Sequence, residues 1–199
     1  MHKDDVRSDK DDEDEISDNY ALQSQLLLPF LPTPKSLIRK VFDEIKNQLD
    51  FETEPLLYDL GSGDGRVLMI AASEYGYRCK GFEINKQIFM NSRDKIGGLP
   101  EHVRSRIELR RRDFFNLDLN DADVVFIYAT ARSFRFMKHL LATCRAGTIL
   151  VLVRFQPDED FLQSIGLRCI KEVDWDAEEL SKKMKNPNAL YRVAIYAMD

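Results

Sequence analysis

LLYDLGSGDGRVLMIAASEYG, residues 56–76, sets three glycines between an apolar run and an amphipathic one: Gly61, Gly63 and Gly65 alternate with Ser62 and Asp64. LLYDL reads as a short buried strand, and RVLMIAASEYG as a helix that stops at Gly76. A glycine turn between the two lets a ligand come close to the backbone, because no Cβ stands in the way. In an open sheet of alternating strands and helices, such a turn lies at the carboxyl ends of the strands, where ligands bind.

The alternation continues on both sides of the turn. Upstream, PTPKSLIRKVFDEIKNQL (32–49) puts Leu37, Ile38, Val41, Phe42, Ile45 and Leu49 on one helical face. That predicts a leading helix with Thr33 at the N-cap and Pro34 at the first helical position. Downstream, YRCKGFEI reads as a strand, NKQIFMNSRDKI as a helix closed by Gly97-Gly98, SRIELRRRD as a third strand and ADVVFIY as a fourth. SFRFMKHLLATC follows as a helix, TILVLVRF as a fifth strand, and LRCIKEVD and LYRVAIYAM as two more strands. The excursion between the last two carries Asn186-Pro187 and no crossover helix, so the chain returns antiparallel. The expected fold is α/β: a Rossmann-like, seven-stranded, doubly wound sheet with an antiparallel last strand and a leading N-terminal helix.

Charge marks a boundary at Asn19. Residues 1–19 hold nine Asp or Glu against three Lys or Arg, whereas the remaining residues hold 25 against 26. A segment so polar buries too little apolar surface to offset its ordering entropy. The expected organisation is a disordered acidic tail over 1–19 and one domain over 20–199. The three cysteines, Cys79, Cys144 and Cys169, are far apart with no C-x-x-C, which predicts free thiols in a reducing, cytoplasmic setting and no metal. The longest early apolar run, LLLPFL, falls far short of the roughly 20 residues of a membrane span, and the acidic start is unlike a targeting peptide. No membrane partner is expected, and oligomeric state is not legible.

The glycine spacing discriminates between ligands. A dinucleotide fingerprint, G-x-G-x-x-G, would put its third glycine at position 66, which is Arg66. Asp59 at the strand end repels phosphate and suits a cation, and S-adenosylmethionine carries an ammonium and a sulfonium but no phosphate. Glu83, 20 residues after Gly63, stands where a carboxylate accepts from a ribose diol. Asp113 ends the third strand, placed to accept from an adenine amino group, with Phe114 beside it to cover the ring. Each acid also has an ordinary reading: Asp59 as a helix cap, Glu83 as a solvated strand end, Asp113 as a turn residue. Three acids in order at three strand ends favour the ligand. The expected cofactor site is Thr33, Asp59, Gly61, Ser62, Gly63, Gly65, Glu83, Asp113 and Phe114, with Thr33 serving first as a cap and second as a gate over the methionine end.

With these motifs, the chain resembles the class I S-adenosylmethionine-dependent methyltransferases over Pro29 to Asp199. PFLPTPKSLIRKVF, YDLGSGDGRVLMIAA, GFEIN and RRDFFNLDLNDADVVFIY are more narrowly similar to the archaeal broad-specificity protein lysine methyltransferases and their eukaryotic mitochondrial relatives. The resemblance implies that fold and methyl transfer to a protein lysine; YATARSF, after the fourth strand, departs from the family's more apolar version. Tyr128 and Thr130 are the expected lining of an acceptor channel, with Phe30 and Phe155 as weaker candidates, and Tyr128 could equally be the last core residue of its strand. A protein substrate is therefore expected. The alternatives are a small-molecule or RNA methyltransferase on the same cofactor site, or a non-catalytic S-adenosylmethionine-binding module.

Other acceptors want other residues at that loop. Base amino-methylases use an Asn/Asp-Pro-Pro-aromatic run, and catechol-type enzymes use metal-binding carboxylates; neither occurs between Tyr128 and Arg154. Arginine methylation calls for a glutamate clamp, and Glu178-Glu179 read instead as a solvated face. The run RSRIELRRRD offers Arg104, Arg106, Arg110, Arg111 and Arg112 as a phosphate stripe. No aromatic interleaves with them, and charge on a sheet edge also blocks edge-to-edge pairing, so nucleic acid is not the expected partner.

Overall fold

Five side chains of helix α1 (Lys35–Ile45), namely Leu37, Ile38, Val41, Phe42 and Ile45, are fully buried, at helical spacing on one stripe. Each contributes about 1.5–3 kcal/mol by leaving water, and together they hold the leading helix to the domain. The computed structural model describes residues 32–128, 134, 136–154, 156–175 and 191–199. The acidic 1–19 segment, Phe30, Thr130, Phe155 and Glu178-Glu179 lie outside the described residues.

Next come β1 (Leu56–Leu60), α2 (Arg66–Glu74), β2 (Arg78–Phe82), α3 (Lys86–Gly97), a short α4 (Glu101–Arg104) and β3 (Ile107–Arg110). They are followed by β4 (Val124–Tyr128), α5 (Lys138–Leu141), β5 (Ile149–Val153), α6 (Glu159–Ser164), β6 (Leu167–Trp175) and β7 (Tyr191–Met198). Among the described residues these strands form one sheet of seven in the order β3-β2-β1-β4-β5-β7-β6. β1 pairs in parallel with β2 and β4, β2 with β3, and β4 with β5, while β7 runs antiparallel to both β5 and β6. The expected fold class is the observed one. All five residues of β5 are buried, as a central strand covered on both faces requires. One apolar cluster under α1 and α2 fills one face, and a second, around Tyr58, Phe82, Phe134 and Leu140, fills the other.

Three local expectations need correction. Of the helix expected over SFRFMKHLLATC, α5 spans only Lys138–Leu141, with turns at Phe136 and from Ala142 onward. Thr33 is not the helix cap: α1 begins at Lys35, Pro34 stands at its N-cap with no side-chain cap bond, and the Pro34 carbonyl accepts from the Ile38 N–H. Thr33 is instead buried. Helix α6, capped by the Asp158 side chain accepting from the Phe161 N–H at 2.8 Å, was not expected from the sequence. At 6 residues it is too short to show a 3.6-residue period.

β3 is the sheet edge, and its burial alternates between half-buried and exposed. Of the basic run, Arg104 pairs with Glu101, Arg106 with Glu54 and the Gly76 carbonyl, and Arg110 with Glu108. Each of these three side chains meets a neighbouring acid at the surface.

Candidate cofactor and acceptor site

β1 ends at Leu60, and the chain turns sharply through three left-handed glycines: Gly61 (φ 84°), Gly63 (φ 56°) and Gly65 (φ 77°). A Cβ at such φ values costs roughly 1–2 kcal/mol, which is why glycine recurs. The turn is stitched to β2, where the Phe82 carbonyl accepts from the N–H groups of Gly61 (3.0 Å) and Ser62 (2.9 Å). Gly65 opens α2 at its N-cap.

Glu83 lies directly after β2 and is buried, not a solvated strand end. One of its carboxylate oxygens accepts from the Gly63 N–H at 3.0 Å and the other from the Asn85 N–H at 2.8 Å. A carboxylate has about four lone-pair sites, so these bonds leave accepting capacity for a ribose hydroxyl. Burial raises the Glu83 pKa, against the backbone N–H groups of Asn85, Gly63 and Ile84 that lower it.

Asp59 is buried in β1, opposite Gly81 of β2, and is not a helix cap. Its Oδ2 has no hydrogen-bond partner, and neither does the buried Oγ of Ser62. Burial, followed by the carboxylates of Glu83 and Asp64, pushes the Asp59 pKa up to about 8. An unpaired buried acid is costly, and a cation nearby would relieve that cost.

Asp113 fulfils its ordinary reading: it caps a turn of 3₁₀ helix over Phe114–Asn116, accepting from the Phe115 N–H at 3.0 Å. That turn brings Phe114 to the glycine loop, where its ring Cε1 lies 4.0 Å from where a Gly61 Cβ would be. Phe114 also stacks at a tilt on Phe115, with ring centroids 4.8 Å apart.

Tyr128 closes β4 at the same end of the sheet, half-buried and packed against the core. Its hydroxyl accepts from Arg154 Nη1 at 3.1 Å, and Arg154, just past β5, has a positive φ of 77°. Such backbone strain in a non-glycine residue gathers at functional sites. Arg154 shows no local signal in the sequence. For Asp64 and Arg66 the one signal in the sequence is the arginine standing where a third glycine would.

A family model described as the ANTKMT methyltransferase domain matches residues 59–159. The chain belongs to this methyltransferase family. The matched span opens on Asp59 and contains the glycine loop, Glu83, Asp113, Phe114 and Tyr128. A protein-lysine N-methyltransferase of Saccharolobus islandicus (strain REY15A) is 27% identical over 132 residues, 65% of this chain and 78% of that protein. A lysine N-methyltransferase of Caenorhabditis elegans, named for an ATP synthase subunit, is 31% identical over 105 residues, 52% of this chain and 54% of the relative, so the match spans about half of that relative's length. Among solved structures, an RNA methyltransferase from Salinibacter ruber in complex with S-adenosyl-L-homocysteine superposes with a TM-score of 0.66 at 26% identity, covering 84% of this chain and 94% of that one.

The ANTKMT-family chain is an S-adenosylmethionine-dependent methyltransferase. The residues present fit that cofactor. The loop leaves room for close approach, and the buried orphan oxygen of Asp59 beneath it suits a cationic ligand better than a phosphate. No helix among the described residues is long and apolar enough to cross a membrane.

Proposed function

We propose that this ANTKMT-family domain, residues 20–199, methylates the side-chain amine of a protein lysine. The similarity to the archaeal protein-lysine N-methyltransferase over 65% of the chain carries the reading. Bound S-adenosylmethionine supplies an electrophilic methyl on a sulfonium. Glu83 would hold the ribose hydroxyls, Phe114 would cover the adenine with Asp113 at its edge, and Gly61, Ser62, Gly63 and Gly65 would form the floor, with Asp59 beneath and Thr33 alongside. Tyr128 would line the acceptor channel, with Thr130 two residues further along the chain.

The acceptor must arrive as the neutral amine. Removing its proton at pH 7 costs about 4.6 kcal/mol, from a pKa near 10.4. Apolar burial against a ring such as that of Tyr128 lowers this cost by penalising the ammonium, and alignment of the amine with the methyl supplies much of the remaining acceleration. No dedicated base is needed: the proton leaves to solvent before attack. The free thiols of Cys79, Cys144 and Cys169 fit a reducing cytoplasmic setting.

Incubating the protein with labelled S-adenosylmethionine and a cell lysate tests the reading. Label on a protein, with +14 mass increments that disappear when substrate lysines are replaced by arginine, is the expected result. Label on RNA or small molecules, or increments that survive the replacement, would reject it.

A further inference from the structure

Arg66 stands where a dinucleotide-binding loop would have its third glycine, and all three nitrogens of its guanidinium donate hydrogen bonds. Nε and Nη2 each donate to the Asp64 carboxylate at 2.8 Å, one bond to each oxygen, while Nη1 donates to the backbone carbonyl of Thr33 at 3.2 Å. Asp64 lies inside the glycine loop, between Gly63 and Gly65; Thr33 lies 33 residues upstream, in the segment that leads into α1. Lys95 of α3 adds a third contact to the same carboxylate at 3.3 Å. The Arg66 and Asp64 side chains are only 23% and 18% exposed, so water and salt screen the pair weakly.

We propose that Arg66 is a positioning residue that locks the Thr33 segment onto the cofactor loop, and so sets how tightly S-adenosylmethionine is held rather than how fast its methyl moves. This rests on the glycine loop carrying the cofactor, as proposed above.

A planar guanidinium is suited to the task. Its two-bond fork on Asp64 fixes the plane of the group, and the remaining Nη1 is thereby aimed at Thr33. A lysine could satisfy Asp64 as a point charge but has no rigid second edge to reach the carbonyl. Thr33 makes no side-chain cap to α1, so the contact with Arg66 ties this stretch of backbone to the loop independently of the helix start. Burial works to raise the Asp64 pKa, but the hydrogen bonds and charges of Arg66 and Lys95 outweigh it and hold the carboxyl at about 2, so the clamp stays charged at every working pH.

The test compares full-length wild type, Arg66→Lys and Glu83→Gln by steady-state kinetics, calorimetry and hydrogen exchange, well below their melting temperatures. Arg66→Lys should raise the KM and Kd for S-adenosylmethionine about tenfold, the size of one lost charge-assisted hydrogen bond, with kcat at saturating cofactor within about twofold of wild type. Cofactor should slow exchange over residues 32–38 in the wild type and do so much less in Arg66→Lys. A purely structural arginine would lower the melting temperature and leave both readouts unmoved, and that result would overturn the proposal. So would wild-type protein whose 32–38 exchange ignores the cofactor, which keeps the test decisive even if the variant fails to fold. If Glu83→Gln weakens the cofactor and Arg66→Lys does not, the clamp alone is wrong; if neither does, the loop is not the cofactor site.

Discussion

Glu83 carries the glycine loop as well as facing it: its carboxylate accepts the Gly63 N–H at 3.0 Å while the other oxygen accepts the Asn85 N–H at 2.8 Å. One side chain therefore joins the end of β2, the start of α3 and the middle of the turn. A residue with two tasks gives two signatures when changed. Glu83→Ala should weaken S-adenosylmethionine binding by about 1.5–3 kcal/mol, and should also cost about 1–3 kcal/mol of stability for the buried Gly63 amide left without an acceptor. Glu83→Gln, which keeps one carbonyl oxygen, should fall between. Calorimetry and thermal melts on both variants check this, and unchanged affinity in a folded Gln variant would remove Glu83 from the cofactor site.

Asp59 gives stability a pH dependence. An unfolded Asp titrates near 3.9, whereas in the fold burial, with the Glu83 and Asp64 charges, moves this group up to about 8. From about pH 4 to about pH 8 the folded protein keeps a proton that the unfolded chain has released. Stability from this group is thus fully present below pH 4 and falls as pH rises, by up to about 1.4 kcal/mol per unit. Asp59→Asn should flatten that slope in urea unfolding measured across the range. A cationic cofactor should also expel the proton, so the apparent binding enthalpy near pH 7 should differ between phosphate and Tris buffers. Identical enthalpies would show that Asp59 keeps its protonation state.

Tyr128 sits at the strand end where an acceptor would meet the methyl. Tyr128→Ala should lower turnover tenfold or more with cofactor affinity near wild type, because the lost contacts act on the aligned nucleophile. Tyr128→Phe keeps the ring and loses the hydroxyl that accepts from Arg154, so it should retain most activity. The rate should climb with pH toward about 9 as more acceptor amine becomes neutral. A flat profile with chemistry limiting would argue against an amine acceptor.

Gly81 has no room for a side chain. A Cβ there would lie 2.3 Å from Leu68 Cδ1 and 3.1 Å from both Leu109 Cδ1 and Ser62 Cβ. Leu68 is fully buried, so its methyl has nowhere to retreat without disturbing the contact between α2 and β2. Gly81→Ala should destabilise the protein by about 1–3 kcal/mol and shift the loop at Ser62. A melting temperature equal to wild type would show that the interface yields more easily than its packing suggests.

What the sequence determined by itself was whatever repeats locally. The stripe of Leu37, Ile38, Val41, Phe42 and Ile45 announces α1, the run ILVLV announces a central strand, and three glycines at alternate positions announce a left-handed turn; each depends only on neighbours a few residues away. The order of Asp59, Glu83 and Asp113 along the chain was likewise legible, since parallel strands joined by helices place their carboxyl ends together. Tertiary structure decided what those residues touch. That Glu83 holds the Gly63 amide, that Thr33 gives up its expected capping place and is bonded through its carbonyl by Arg66, and that β7 inserts between β5 and β6 all depend on contacts between distant segments. Hydrogen bonds of that kind depend on side-chain reach and backbone direction to within an ångström, and no periodicity along the chain encodes them.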